Sequence, residues 1–83
     1  MTIKVLGPGC MNCKTLERRT QEALQTMNLA TPVEKVEDLN RIASYGVLRT
    51  PGLVIDDKVV WQGSVPSVEK IVELITANAG VAR

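Results

Sequence analysis

The chain has 83 residues, one domain's worth (1–83), and a chain this short buries only roughly 60 to 65% of the surface its unfolded form exposes, so its core must be small and efficiently packed. With 45% hydrophobic and 23% charged residues it is neither a disordered nor a fibrous sequence, and a folded, soluble monomer or weak dimer is expected. Ten basic and nine acidic residues leave +1 without charge runs, and one Trp, one Tyr and no Phe provide no stacking platform, which excludes nucleic acid and a charged membrane surface as partners.

The apolar run Met1-Thr2-Ile3-Lys4-Val5-Leu6 is too short for a signal peptide, and no segment approaches the roughly 20 apolar residues of a membrane span. A cytoplasmic location is expected. There an isolated cysteine pair points to catalysis or metal binding more than to a structural staple, because the compartment keeps ordinary thiols reduced.

Thr2 to Leu6 reads as a strand with Ile3 and Val5 on one face and Leu6 on the other, closed by the breakers Gly7-Pro8-Gly9. From Met11 to Met27 the positions Cys13, Leu16, Thr20, Ala23, Leu24 and Met27 follow helical spacing, while Lys14, Glu17, Arg18, Gln21, Glu22 and Gln25 take the opposite side. Thr31-Pro32 ends that pattern and Val33 to Glu37 gives a second short strand. Asp38 is a suitable N-cap for a helix with Leu39, Ile42 and Ala43 on one face, stopped by Gly46.

Leu53-Val54-Ile55 is a β-branched run of the kind covered on both faces of a sheet. Asp56-Asp57 fits a two-residue hairpin into Lys58 to Gln62, although Asp-Gly would be the cleaner signal. Trp61 reads as strand packing. Pro66 suits the first turn of a last helix, with Val68, Ile71, Val72 and Ile75 on its buried face and an end near Asn78; Gly80 to Arg83 reads as a frayed tail.

The two cysteines of Cys10-Met11-Asn12-Cys13 sit where the first strand hands over to the first helix. Cys13 lies on the buried stripe, whereas Cys10 precedes the first turn and is the more exposed sulfur. Unpaired N–H groups and the positive end of the helix favour the thiolate of Cys10. At this spacing the two sulfurs can close a small disulfide ring or grip one soft metal. Lys14, Arg18 and Arg19 occupy the helix half where acids are preferred, either as its solvated face or, with Arg49, as added positive potential beside Cys10.

Strand, helix, strand, helix, hairpin and helix give an α/β fold, β-α-β-α-β-β-α, with a four-stranded mixed sheet. This order, the cysteine motif after the first strand, and Thr50-Pro51 before the third resemble the thioredoxin superfamily in its compact, glutaredoxin-sized form. Gly7-Pro8-Gly9-Cys10, Tyr45-Gly46-Val47 and Thr50-Pro51-Gly52-Leu53-Val54-Ile55-Asp56 are similar to the small thioredoxin-like redox-active disulfide proteins. The resemblance covers nearly the whole chain. It implies thiol–disulfide exchange, with Cys10 as nucleophile, Cys13 as resolving thiol, and Met11, Asn12 and Lys14 tuning the pair. It further implies a cis peptide bond before Pro51, with Thr50 and Pro51 holding an extended substrate. No bound cofactor is implied; electrons would come from a flavoprotein reductase and pass to disulfide-containing substrate proteins, the cytoplasm favouring the reductant direction.

The sequence also departs from better-known relatives. Gly9 stands where typical thioredoxins have an aromatic residue, and the first strand carries Lys4 and no acid, so no proton acceptor for Cys13 is identified. Gln62-Gly63-Ser64-Val65 lacks the acid of a glutathione-holding segment, which argues against glutathione. The rival reading is a copper(I) carrier using both thiolates, but Pro8 replaces the methionine such domains carry two residues before the first cysteine. A zinc site would need four ligands, and the chain has two cysteines and no histidine.

Overall fold

In the computed structural model, which describes residues 1–79, the chain runs β1 (Ile3–Leu6), α1 (Met11–Thr26), β2 (Val33–Val36), α2 (Leu39–Ser44), β3 (Gly52–Ile55), β4 (Lys58–Gln62) and α3 (Val68–Ala79). The element order is the expected one; the tail expected at 80–83 lies outside the described residues. One sheet has the order β2-β1-β3-β4. β1 pairs with β2 in parallel and with β3 in antiparallel register, and β4 closes the edge as the second arm of the hairpin. A parallel neighbour requires a crossover connection, which α1 provides.

Because successive strand residues point to opposite faces, the sheet builds two cores. Ile3, Val5, Leu53 and Ile55 face α1 and α3, meeting Leu16, Ala23, Leu24, Ile71 and Ile75. Leu6 and Val54 face the other way and join Val36 and Ile42 under α2. β3 is buried at every residue, as a β-branched run sandwiched between helices should be. The α1 stripe is buried at Cys13, Leu16, Thr20, Ala23 and Leu24. Thr20 joins it without leaving an orphan donor, since its hydroxyl donates to the Leu16 carbonyl at 2.7 Å.

Two expectations are corrected. The face predicted for α2 does not form: of Leu39, Ile42 and Ala43 only Ile42 is buried, and Leu39 is 68% exposed. A six-residue helix makes fewer than two turns and can set one side chain on the sheet. α3 starts at Val68, two residues past Pro66, because Ser67 provides the cap: its hydroxyl accepts from the Lys70 N–H at 3.1 Å and its carbonyl from the Ile71 N–H at 3.0 Å. Asp38 caps α2 as expected, accepting from the Arg41 N–H at 3.2 Å, and Gly46 follows with φ +78°.

In the hairpin, Asp56 and Asp57 have φ of 51° and 65°, the doubly left-handed turn whose twist matches its flanking strands. The Asp56 carboxylate also accepts from the Thr2 N–H at 2.9 Å, tying the start of β1 to the turn. Among the described residues no helix is long and apolar enough to cross a membrane.

Asp57→Gly removes a left-handed side chain at the position where this turn prefers glycine, and forfeits only a Lys4 contact on a carboxylate that is 79% exposed. The substitution should raise stability by about 0.5 kcal/mol, read as a higher urea midpoint with an unchanged slope.

Candidate active site

The exit from β1 places the sulfurs. The Gly7 N–H donates to the Val36 carbonyl at 2.9 Å, extending the β1–β2 pairing one step past the strand. Gly9, at φ +92°, then turns the chain into α1. Cys10 has extended backbone angles and forms the N-cap: its Sγ accepts from the Cys13 N–H at 3.3 Å, and its carbonyl from the Lys14 N–H at 3.0 Å. The first turn of α1 contains no acid, so Cys10 has the positive end of the helix to itself.

Cys10 and Cys13 form a disulfide, with Cα atoms 5.0 Å apart. Cys10 is exposed and Cys13 is 5% exposed, the division set by the helix register. Gly7 makes that burial possible. A Cβ at Gly7 would land on the Cys13 Sγ, 3.1 Å from its Cβ and 3.9 Å from the Thr50 Cβ. Gly7 is therefore close to both the buried sulfur and Thr50. The Thr50–Pro51 bond is cis; Thr50 is exposed, Pro51 is buried, and the Pro51 carbonyl accepts from the Gly63 N–H at 2.9 Å. Cys10, Cys13 and Thr50-Pro51 thus meet at the carboxyl ends of the parallel strands β1 and β2, where open α/β sheets bind ligands.

Met11 is 78% exposed, and Asn12 and Lys14 are exposed beside it. Of the cations considered as neighbours of Cys10, Lys14 alone borders the cysteine site. Arg18 pairs with Glu22 at 3.9 Å, one turn along α1. Arg19 donates to the Pro66 carbonyl at 3.1 Å, stapling α1 to the segment before α3, and Arg49 packs its stem where a Gly63 Cβ would stand. These three have solvated or structural roles. Trp61 is half-buried in β4 and donates to the Ser64 carbonyl at 3.1 Å.

A cavity of about 30 Å³ opens beside Cys13, lined by Lys14 and Glu17 of α1, Lys35 of β2 and Glu37 just beyond it. Of these charged neighbours the sequence reading makes only Lys14 a site residue and sets Glu17 on the side of α1 opposite Cys13, whereas in the structure Glu17 is half-buried and lines the same cavity as Cys13. Two signals could have found the others: Glu17 lies four residues after Cys13 on the same helix, and Glu37 leaves β2 at the edge where β1 delivers the cysteine loop. Lys4, the ionisable residue of β1, lies on the other face. Its ammonium donates to the Tyr45 hydroxyl at 2.9 Å and lies 3.5 Å from Asp57. The Tyr45 hydrogen bond, aided by Tyr45, Asp57 and Glu34 charges and opposed by desolvation, holds its pKa above the ordinary 10.5. Among the described residues no group of three or more His, Cys, Asp or Glu side chains is placed to hold a metal.

A disulfide with one accessible sulfur at a helix N-terminus, closed against an X-Pro segment on a β-α-β-α-β-β-α sheet, defines a thiol–disulfide oxidoreductase of the thioredoxin-like fold. The chain belongs to the thioredoxin family, whose thioredoxin-domain model matches residues 1–76. Among its relatives, the thioredoxin of Methanocaldococcus jannaschii is 36% identical over 73 residues, covering 88% of this chain and 84% of that protein. The thioredoxin of Methanothermobacter thermautotrophicus is 32% identical over 76 residues, covering 92% of this chain and 99% of its own.

Gly7 does not adopt a left-handed φ, so alanine there tests the steric contact with Cys13 alone. Gly7→Ala should lower the stability of the oxidised protein by about 1 to 3 kcal/mol, measured by urea unfolding. Lys4→Met should leave disulfide exchange intact. A base whose folded pKa is raised contributes stability that is complete below its unfolded value and is lost as pH rises through the folded value. The wild-type advantage over Lys4→Met in urea midpoint should therefore hold at neutral pH and shrink above about pH 10.5.

Proposed function

We propose that the protein works as a single-domain disulfide reductant in which Cys10 attacks and Cys13 resolves. The observation that carries this reading is the difference in exposure between the two sulfurs. The Cys10 thiolate attacks one sulfur of a substrate disulfide, forming a mixed disulfide and expelling the first substrate thiolate, which takes a proton from solvent. The Cys13 sulfur then attacks Cys10 Sγ, the second substrate thiolate leaves, and the Cys10–Cys13 disulfide closes. Two electrons have moved from protein to substrate, the Cys13 proton is released to solvent, and both substrate thiolates take their protons from solvent.

Thr50 and Pro51 form the substrate-binding edge, offering backbone to an extended segment around the target disulfide, and Met11, Asn12 and Lys14 tune the pair. The partners are disulfide-containing proteins on one side and, on the other, a flavoprotein reductase of the thioredoxin type that restores the dithiol. The cytoplasm is the compartment proposed for this cycle, where a continuous electron supply favours reduction.

Cys13→Ser should accumulate a mixed disulfide with insulin, seen by mass spectrometry as an adduct through Cys10, and should not turn over. Cys10→Ser should trap almost nothing. Equal trapping by both variants would overturn the assignment of attacker and resolver, and the direction is checked by asking whether a thioredoxin-type reductase keeps the wild-type protein reducing insulin.

A further inference from the structure

Resolution of the mixed disulfide poses a problem that the exposed step does not. The attacking sulfur is Cys13, and burial to 5% exposure disfavours its thiolate. The thiol is a poor nucleophile, so its proton must leave as the sulfur attacks. β1 has no acid to receive it, and its ionisable residue, Lys4, is engaged with Tyr45 on the opposite face of the sheet.

We propose that the cavity beside Cys13 is the exit for this proton, and that the carboxylates of Glu17 and Glu37 accept it through cavity water. The proposal rests on Cys13 being the resolving thiol. Three observations support it. Cys13 itself lines the cavity together with both carboxylates, which share its wall with Val5 and the Gly7 and Gly9 backbone. The volume of about 30 Å³ admits one or two waters, each of which needs about 10 to 15 Å³ and several polar partners. The acids approach from two elements: Glu17 is half-buried one turn beyond Cys13 on α1, and the Glu37 Oε2 lies 3.1 Å from where a Cβ on Gly9 would stand, over the loop that leads into Cys10.

Lys14 from α1 and Lys35 from β2 complete the rim, so two positive charges balance two negative ones. That balance matters, because two unopposed carboxylates would raise the cost of a thiolate beside them. With the charges matched, the cavity offers acceptors without a net negative potential. In the step itself the Cys13 S–H passes its proton to water, and water passes one to Glu17 or Glu37. The sulfur's electron pair forms the bond to Cys10 Sγ as the bond from Cys10 to the substrate sulfur breaks, and the substrate leaves as its thiolate. The carboxylic acid then returns its proton to bulk solvent.

The test exploits two effects of opposite sign. Removing the carboxylates' charge would, by electrostatics alone, favour the Cys13 thiolate and speed the second step; removing them as acceptors slows it. Reduced protein is mixed with excess dithiobis(nitrobenzoate) in a stopped-flow instrument. The first nitrothiobenzoate release reports attack by Cys10, and the second reports attack by Cys13 on the Cys10 adduct. In E17Q/E37Q the second release should be at least about tenfold slower than in wild type at pH 7, the lower reach of what general base catalysis contributes. The gap should close as pH rises and the thiol ionises unaided. A second release as fast as wild type, or faster, or a deficit that persists unchanged at high pH, would overturn the proposal. Failure of the wild-type protein to give a second release would instead count against Cys13 as the resolving thiol.

Discussion

One packing constraint governs the reactive end of the molecule: the Cys13 sulfur lies directly beneath the Gly7 backbone. With no side chain at Gly7, α1 can approach the end of β1 closely enough to bury its first stripe residue, and that residue is a cysteine. Once Cys13 is fixed, the helix register sends the residue three positions earlier to the cap, where Cys10 meets solvent. The Gly7 N–H to Val36 carbonyl bond holds the same backbone to β2, and Thr50 lies close by. Glycine at this point therefore coordinates the helix, the parallel strand pair and the segment before β3.

The same end of the helix is poorly optimised for stability. N-caps are ordinarily Ser, Thr, Asp or Asn, whose oxygens satisfy the first N–H groups, and the first turn ordinarily favours acids. Here the cap acceptor is a sulfur at 3.3 Å and the first turn holds no acid. Either change toward a conventional helix start would place an oxygen or a negative charge where the reactive sulfur needs unshared N–H groups. Stability comes instead from the apolar stripe further along α1, from Leu16 to Leu24, packed on Ile71 and Ile75. The molecule thus separates a helix mouth that reacts from a helix body that packs.

Periodicity carried most of the fold. The α1 stripe, the two-faced β1 and the fully buried β3 were legible because burial follows side-chain spacing over several residues. α2 was misread because a six-residue helix is too short for spacing to decide which residues bury, and the start of α3 was misread because Ser67 competed successfully with Pro66 for the cap. At the site, Cys10, Cys13 and the Thr50-Pro51 pair stood out as residue types in a recognisable order. Glu17, Lys35 and Glu37 did not, because charged residues on helix and strand surfaces are ordinarily solvated and their convergence depends on the register between β2 and the cysteine loop. Lys4, the ionisable residue of β1, is sent by strand alternation to the face with Tyr45, away from the cysteines.

The Asp56-Asp57 turn has a further consequence. Because β1 runs toward the cysteines and β3 runs back from them, this turn and the amino end of β1 share the pole farthest from the disulfide, locked together by the Asp56 carboxylate and the Thr2 N–H. That pole is a handle. A reporter, a surface tether or an inserted peptide placed there would leave the cysteine end facing outward, so the molecule can be carried by one end while it exchanges electrons at the other.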